Sequence, residues 1–229
     1  MDFDRMLAYS AALKANNRRE WFHEHHDEYV DAKGDFLQLL EMLRFSLSGA
    51  SPELGQSIMH VPAKDWTYRT ARDMRIYKNA PPYNPAFRAY ISADRRSWAP
   101  IGYFLSIAPG ESLFGTGMGF RETEALNRVR VYIAEHFEEF DAIRRENRLT
   151  IGGDTLKRTP CGYDDSHPAA EWIRHKSWLI MRTFPDAKLT SFASFCRMAA
   201  NTVKKMEPMR LFLLRAAGAE QGGGTWDAR

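Results

Sequence analysis

Cysteine is scarce in this chain: Cys161 and Cys196 are the only two among 229 residues. They stand far apart, outside any CxxC pair and with no histidine at ligand spacing, which argues against a disulfide-built scaffold and against a zinc module. Such thiol economy suits a reducing compartment, and a cytoplasmic location is expected. Long apolar runs are missing as well. No stretch approaches the ~20 residues of a membrane-spanning helix, and the opening MDFDRMLAYS is broken by charge, unlike a secretory leader. No membrane partner is expected. Nor does one sign of charge dominate, since 32 Lys and Arg against 29 Asp and Glu leave +3. That balance is too mild to mark a nucleic-acid protein, no recognised nucleic-acid module is visible, and nucleic acid is not expected as a partner.

What is present is core-forming material. Hydrophobic residues make up 44% of the chain and aromatics 13%, enough for one large domain. With no internal repeat and no linker, the sequence reads as a single domain over 1–218, followed by a flexible tail, AEQGGGTWDAR, at 219–229. Residues 3–14 read as a short amphipathic helix. Asn17 and Glu20 then have capping-box spacing ahead of a stripe of Trp21, His25, Tyr29, Ala32, Phe36, Leu40, Leu43 and Leu47, a helix expected to bend at Gly34. SGASPELG is a turn region with one loose helical turn.

Between Trp66 and Phe120 the period shortens. Runs at Phe87–Ser92, Ile101–Ala108 and Ser112–Met118 read as strands of an antiparallel sheet, separated by ADRRSWAP and PGE. Gly115, Gly117 and Gly119 alternate along the last run, in neither a P-loop nor a dinucleotide-binding pattern, and a close-packing role is favoured for them. A long helix is expected over Glu122–Glu146, a hairpin around Gly152, Gly153 and Asp154, a helix over Ala169–His175 and a strand in KSWLIMRTF. Two further helices, Leu189–Lys205 and Glu207–Ala217, are expected to be separated by Pro208. The fold class is therefore α+β: a central antiparallel sheet packed by long N-terminal, middle and C-terminal helices.

Chemistry concentrates in RTARDMRIYKNAPPY, Arg69 to Tyr83. Arg69, Arg72, Arg75 and Lys78 recur every third residue around Asp73, so a helix or a strand would gather positive charge, and guanidinium forks suit carboxylate and phosphate. Pro81 and Pro82 enforce a stiff turn ahead of Tyr83. Lys157 and Arg158 follow the expected hairpin, and PCGYDDSHP brings Asp165 beside His167, a pair suited to acid–base work and equally to capping the next helix. The HEHH run places His23, His26 and Asp27 on one helix face, but the residue four beyond His23 is aspartate and no third ligand is fixed, so it reads as solvated surface. Neither metal nor cofactor is expected.

Five motifs in one order, NNRREWF, RDMR with PPY behind it, PGESLFGTG, ETEALNRVR and LKRTPCGYDDSHPA with the lysine–serine of HKSW, resemble the domain of unknown function 2461 family of conserved hypothetical proteins, from about Asp4 to Ala217. The resemblance implies a single α+β domain and brings no activity with it. Arg69, Arg72, Asp73, Arg75, Lys78, Pro82 and Tyr83 match the family pattern. Ile76, Tyr77, Asn79 and Ala80 depart from it, as do Asn84, Pro85, Ala86 and Cys161.

Two readings stay open. In one, Arg69, Arg72, Arg75, Lys78 and Tyr83 with Lys157 and Arg158 hold a small phosphate or carboxylate ligand in a shared pocket, and Asp73, Asp165 and His167 are candidate catalytic groups. In the other, the protein is non-catalytic and its arginine–aspartate network fixes the fold or docks an acidic partner.

Overall fold

The computed structural model describes residues 3–93, 102–119 and 123–218. All but the first residue of ADRRSWAP, the expected helix start at Glu122 and the tail at 219–229 lie outside the described residues. The chain is α+β, with a four-stranded antiparallel sheet in the order β1-β2-β3-β4: β1 Phe87–Ile91, β2 Tyr103–Ile107, β3 Ser112–Gly119 and β4 Ser177–Phe184. Two compact units divide the described chain. The first takes 3–93, 104–114 and 182–201, and the second 102–103, 115–119, 123–181 and 202–218.

In the first unit, α1 (Phe3–Ala15) packs on α3 (His26–Ala50), which also carries α4 (Pro52–Ile58) and α5 (Ala63–Trp66). The expected capping box does not form. Arg18 stands before α2 (Arg19–Glu24) without a side-chain bond, and the helical stripe breaks at His25 rather than at Gly34, which lies inside α3. His25 stacks on Trp21 at 4.1 Å and its Nδ1 lies 2.9 Å from the Trp21 carbonyl, so local packing sets the break. Asn17 serves a longer-range purpose: Nδ2 donates to the Tyr83 carbonyl and Oδ1 accepts from the Tyr83 N–H, both at 3.0 Å. Ser51 is a working cap, accepting from Leu54 N at the start of α4. Tyr9, Phe36 and Phe87 meet within 6.3 Å, tying α1 and α3 to β1. Phe3 packs edge-on against Phe192 and Phe195.

Residues 69–83 are neither helix nor strand. They form a loop whose base is closed by the antiparallel bridge between Ala71 and Tyr83, by Arg72 N to Pro82 O and by Asn84 N to Thr70 O.

In the second unit, the expected middle helix divides at His136 into α6 (Thr123–Glu135) and α7 (Phe137–Glu146). Phe140 packs on Trp172 of α8 (Ala170–Ile173) and on Phe212, each at 5.5 Å. The expected hairpin is absent. Gly152 and Thr155 bridge instead to Leu179 and His175, laying the segment beside the start of β4. Gly153 makes this approach possible: its φ of 127° is rare for L residues, and a Cβ there would collide with the Ser177 carbonyl.

Pro208 does not divide the last helix. α9 runs unbroken over Phe192–Ala217. Helical geometry is disfavoured just before proline, but Glu207 is held in place by Tyr103 Oη at 2.8 Å and by Arg210, while Met206, Met209, Phe212 and Leu213 are buried. Packing outweighs the lost backbone bond.

Candidate functional site

The loop at 69–83 treats its four cations differently. Arg75 grips Asp73, Nε to Oδ1 at 2.9 Å and Nη2 to Oδ2 at 2.7 Å, and a third bond runs from Arg75 N to Oδ1 at 3.0 Å. These bonds hold the Asp73 carboxyl below its usual range, but the Arg75 side chain is 90% exposed, so the pair points outward. Arg69 and Lys78 are exposed. Asp73 thus braces one arginine: three bonds tie it to Arg75, within one tight turn. Tyr83 is buried, its ring stacked 4.2 Å from Phe22, so it anchors the loop base.

Arg72 turns inward. Its Nη1 donates to the carbonyls of Pro81 and Tyr83, both at 2.8 Å. Near enough to feel its charge is a residue the sequence reading passed over. Arg88 lies on β1, whose alternating burial puts Phe87, Ala89 and Ile91 in the core and leaves Arg88 and Tyr90 on the other face. The Arg88 guanidinium sits 5.2 Å from the Tyr68 ring centre, and Tyr68 in turn meets Phe104 edge-on at 6.0 Å. Arg88 Nε is buried and has no hydrogen-bond partner. Burial lowers the Arg88 pKa, the nearby Arg72 charge lowers it further, and the hydroxyls of Tyr68 and Tyr77 act the other way. Among the described residues no carboxylate pairs with Arg72 or Arg88. The strand pattern FRAYI carried the signal, a cation placed on the non-core face of an otherwise apolar strand.

The later motif belongs to the second unit, with its own neighbours. Lys157 and Arg158 are exposed. Asp165 accepts from Thr159 Oγ1, Asp164 accepts from Ser166 N at 2.8 Å, and His167 Nδ1 accepts from Ala169 N at 3.0 Å. His167 and Asp164 therefore shape the entry to α8. A second arginine overlooked in the sequence, Arg130 of α6, lies near enough to Tyr163 of this segment to feel its hydroxyl. Nη1 donates to Asn127 Oδ1 at 3.3 Å and Nη2 to the His175 carbonyl at 3.1 Å, while Nε is buried without a partner. Burial lowers its pKa, and the Tyr163 hydroxyl is close enough to oppose that shift. Its stripe-mates Ala125, Val129 and Ile133 put Arg130 on the buried face of the helix.

Among the described residues, no group of three or more His, Cys, Asp or Glu side chains is placed to hold a metal, and no helix is long and apolar enough to cross a membrane. The fold and these neighbourhoods define an α+β protein in which Arg88 and Arg130 each bury an Nε–H that has no acceptor among the described residues. A family model described as conserved hypothetical protein (DUF2461) matches residues 5–212, and the chain belongs to that family. No curated protein and no solved structure matches the chain.

Proposed function

We propose that the protein binds a small phosphate-type anion between Arg72 and Arg88, with Tyr68 and Tyr77 at its edge. One observation carries the reading. The Arg72 charge bears on the half-buried Arg88 guanidinium, Arg88 has a buried N–H with no acceptor, and no carboxylate among the described residues pairs with either. Arginine stays charged at any working pH, so the repulsion is permanent until an anion enters. Two positive charges suit a doubly charged oxyanion, which accepts several N–H bonds at once.

Binding is the function this supports. Asp73 is engaged by Arg75 and does not supply a base to this space. The structural reading has support of its own at Arg72, whose Nη1 bonds close the loop base. The deciding test therefore falls on Arg88. Inorganic phosphate should raise the melting temperature of the wild-type protein at constant ionic strength, because a ligand selective for the native state stabilises it by mass action. Arg88→Met should abolish the shift, and Arg75→Met should leave it intact. A flat phosphate titration, or one unchanged in Arg88→Met, would discard the proposal.

A further inference from the structure

Burying a guanidinium is costly unless its charge and its five N–H donors are matched. The described core contains three arginines, Arg44, Arg130 and Arg210. Two of them show how this chain meets that cost. Arg44 meets Glu41 through Nε at 3.0 Å and Nη2 at 3.2 Å, and its Nη1 reaches the carbonyls of Ile58 and Met59. Arg210 holds Glu207 through Nε at 2.9 Å and Nη2 at 2.7 Å.

Arg130 breaks the pattern. It is 4% exposed, its acceptors are a side-chain amide and a backbone carbonyl, and its Nε has none. Glu135 bears on the Tyr163 hydroxyl but makes no ion pair with Arg130. The groups around this unmatched charge come from three separate stretches: Asn127 and Arg130 from ETEALNRVR, Tyr163 from PCGYDDSHP, and His175 from HKSW. His175 is itself fixed, stacked between Trp172 and Trp178.

We propose that Arg130 is the binding residue for a small monocarboxylate, which takes the place that Glu41 and Glu207 fill for the other two arginines and sits between the guanidinium and the Tyr163 hydroxyl. Charge selects the class. One buried cation, with no second cation among the described residues acting on it, matches a single negative charge, whereas a phosphate dianion would leave one charge uncompensated in a buried site. Access comes from the segment that carries Tyr163. Its start is pinned by Leu156 N to Arg174 O at 2.7 Å and its end by Ala170 N to His167 O at 2.8 Å, while the bonds between, Tyr163 N to Pro160 O and His167 N to Asp164 O, stay within the segment. Gly162, with φ 95°, supplies a turn directly before the tyrosine. Opening of the stretch between those two pins would admit the ligand to Arg130.

The test is thermal unfolding and calorimetric titration of the whole chain with sodium acetate, with sodium chloride as the ionic-strength control. Acetate at 100 times its Kd should raise the wild-type Tm by roughly 5–10 °C, and Arg88→Met, which removes the phosphate response, should keep this one. Arg130→Met should lose it. Tyr163→Phe removes one hydrogen bond to a charged ligand and should weaken acetate about tenfold; it decides the matter where Arg130→Met does not fold. Absence of an acetate-specific shift in the wild type, full acetate affinity in Tyr163→Phe, or a retained response in folded Arg130→Met overturns the proposal.

Discussion

Lys33 lies half-buried on α3 with its Nζ 5.4 Å from the centre of the Phe36 ring, and burial lowers its pKa from 10.5 to about 8. The sign of the consequence is fixed. Below pH 8 the amine is charged in both folded and unfolded chains, and the cost of burying that charge is fully present. Between about 8 and 10.5 the folded protein has released the proton while the unfolded chain still holds it, so this group makes stability rise with pH across that window. Lys33→Met should therefore stabilise the protein at pH 7, by on the order of 1–2 kcal/mol, with the gain shrinking towards pH 10. Urea unfolding at both pH values would check it, and an equal gain at each would refute the assignment. Single residues of this kind were poorly legible in the sequence. Arg72 was found because RDMR is dense in charge. Arg88 and Arg130 were missed because an arginine on a strand or helix reads as solvent-facing until the register is known. Asn17 was read as a cap because its partner, Tyr83, is 66 residues away and no local spacing reports it.

At the scale of elements, the sequence periodicities located all four strands and most helices, since burial alternates along β1 and recurs at helical spacing along α6. The errors fell where a local breaker met strong packing. Gly34 and Pro208 both sit inside continuous helices because the faces around them are buried. The glycines of β3 illustrate the opposite case. At Gly117, φ is 149° and a Cβ would run into the Trp178 carbonyl of β4, whereas a Cβ added at Gly34 would meet nothing within 4 Å beyond its own stretch of helix. Alanine should therefore act with opposite signs at the two positions. Gly117→Ala should cost about 2–4 kcal/mol, and Gly34→Ala should add about 0.5–1 kcal/mol through helix propensity. Denaturant midpoints would separate them, and a neutral Gly117→Ala would show that β3 and β4 can part without loss.

For the molecule as a whole, the two thiols are a built-in gauge of unfolding. Cys161 is exposed, Cys196 is buried, and both are free. Burial pushes the Cys196 thiol up to about 11, which withholds the reactive thiolate at neutral pH. A thiol reagent should thus label one site quickly in the native protein and the second only as the core opens, with reductant leaving the melting temperature unchanged. Two fast thiols would mean that the helix carrying Cys196 opens on its own.

The closed base of the 69–83 loop has a consequence for how recognition can diversify. Asn17, the Ala71–Tyr83 bridge and the Arg72 bonds to Pro81 and Tyr83 clamp both ends of the excursion. The stretch between them, which bears Ile76 and Tyr77 at 74% and 52% exposure, behaves as an exchangeable cassette. Side chains in that stretch can change without disturbing the clamped base beneath it.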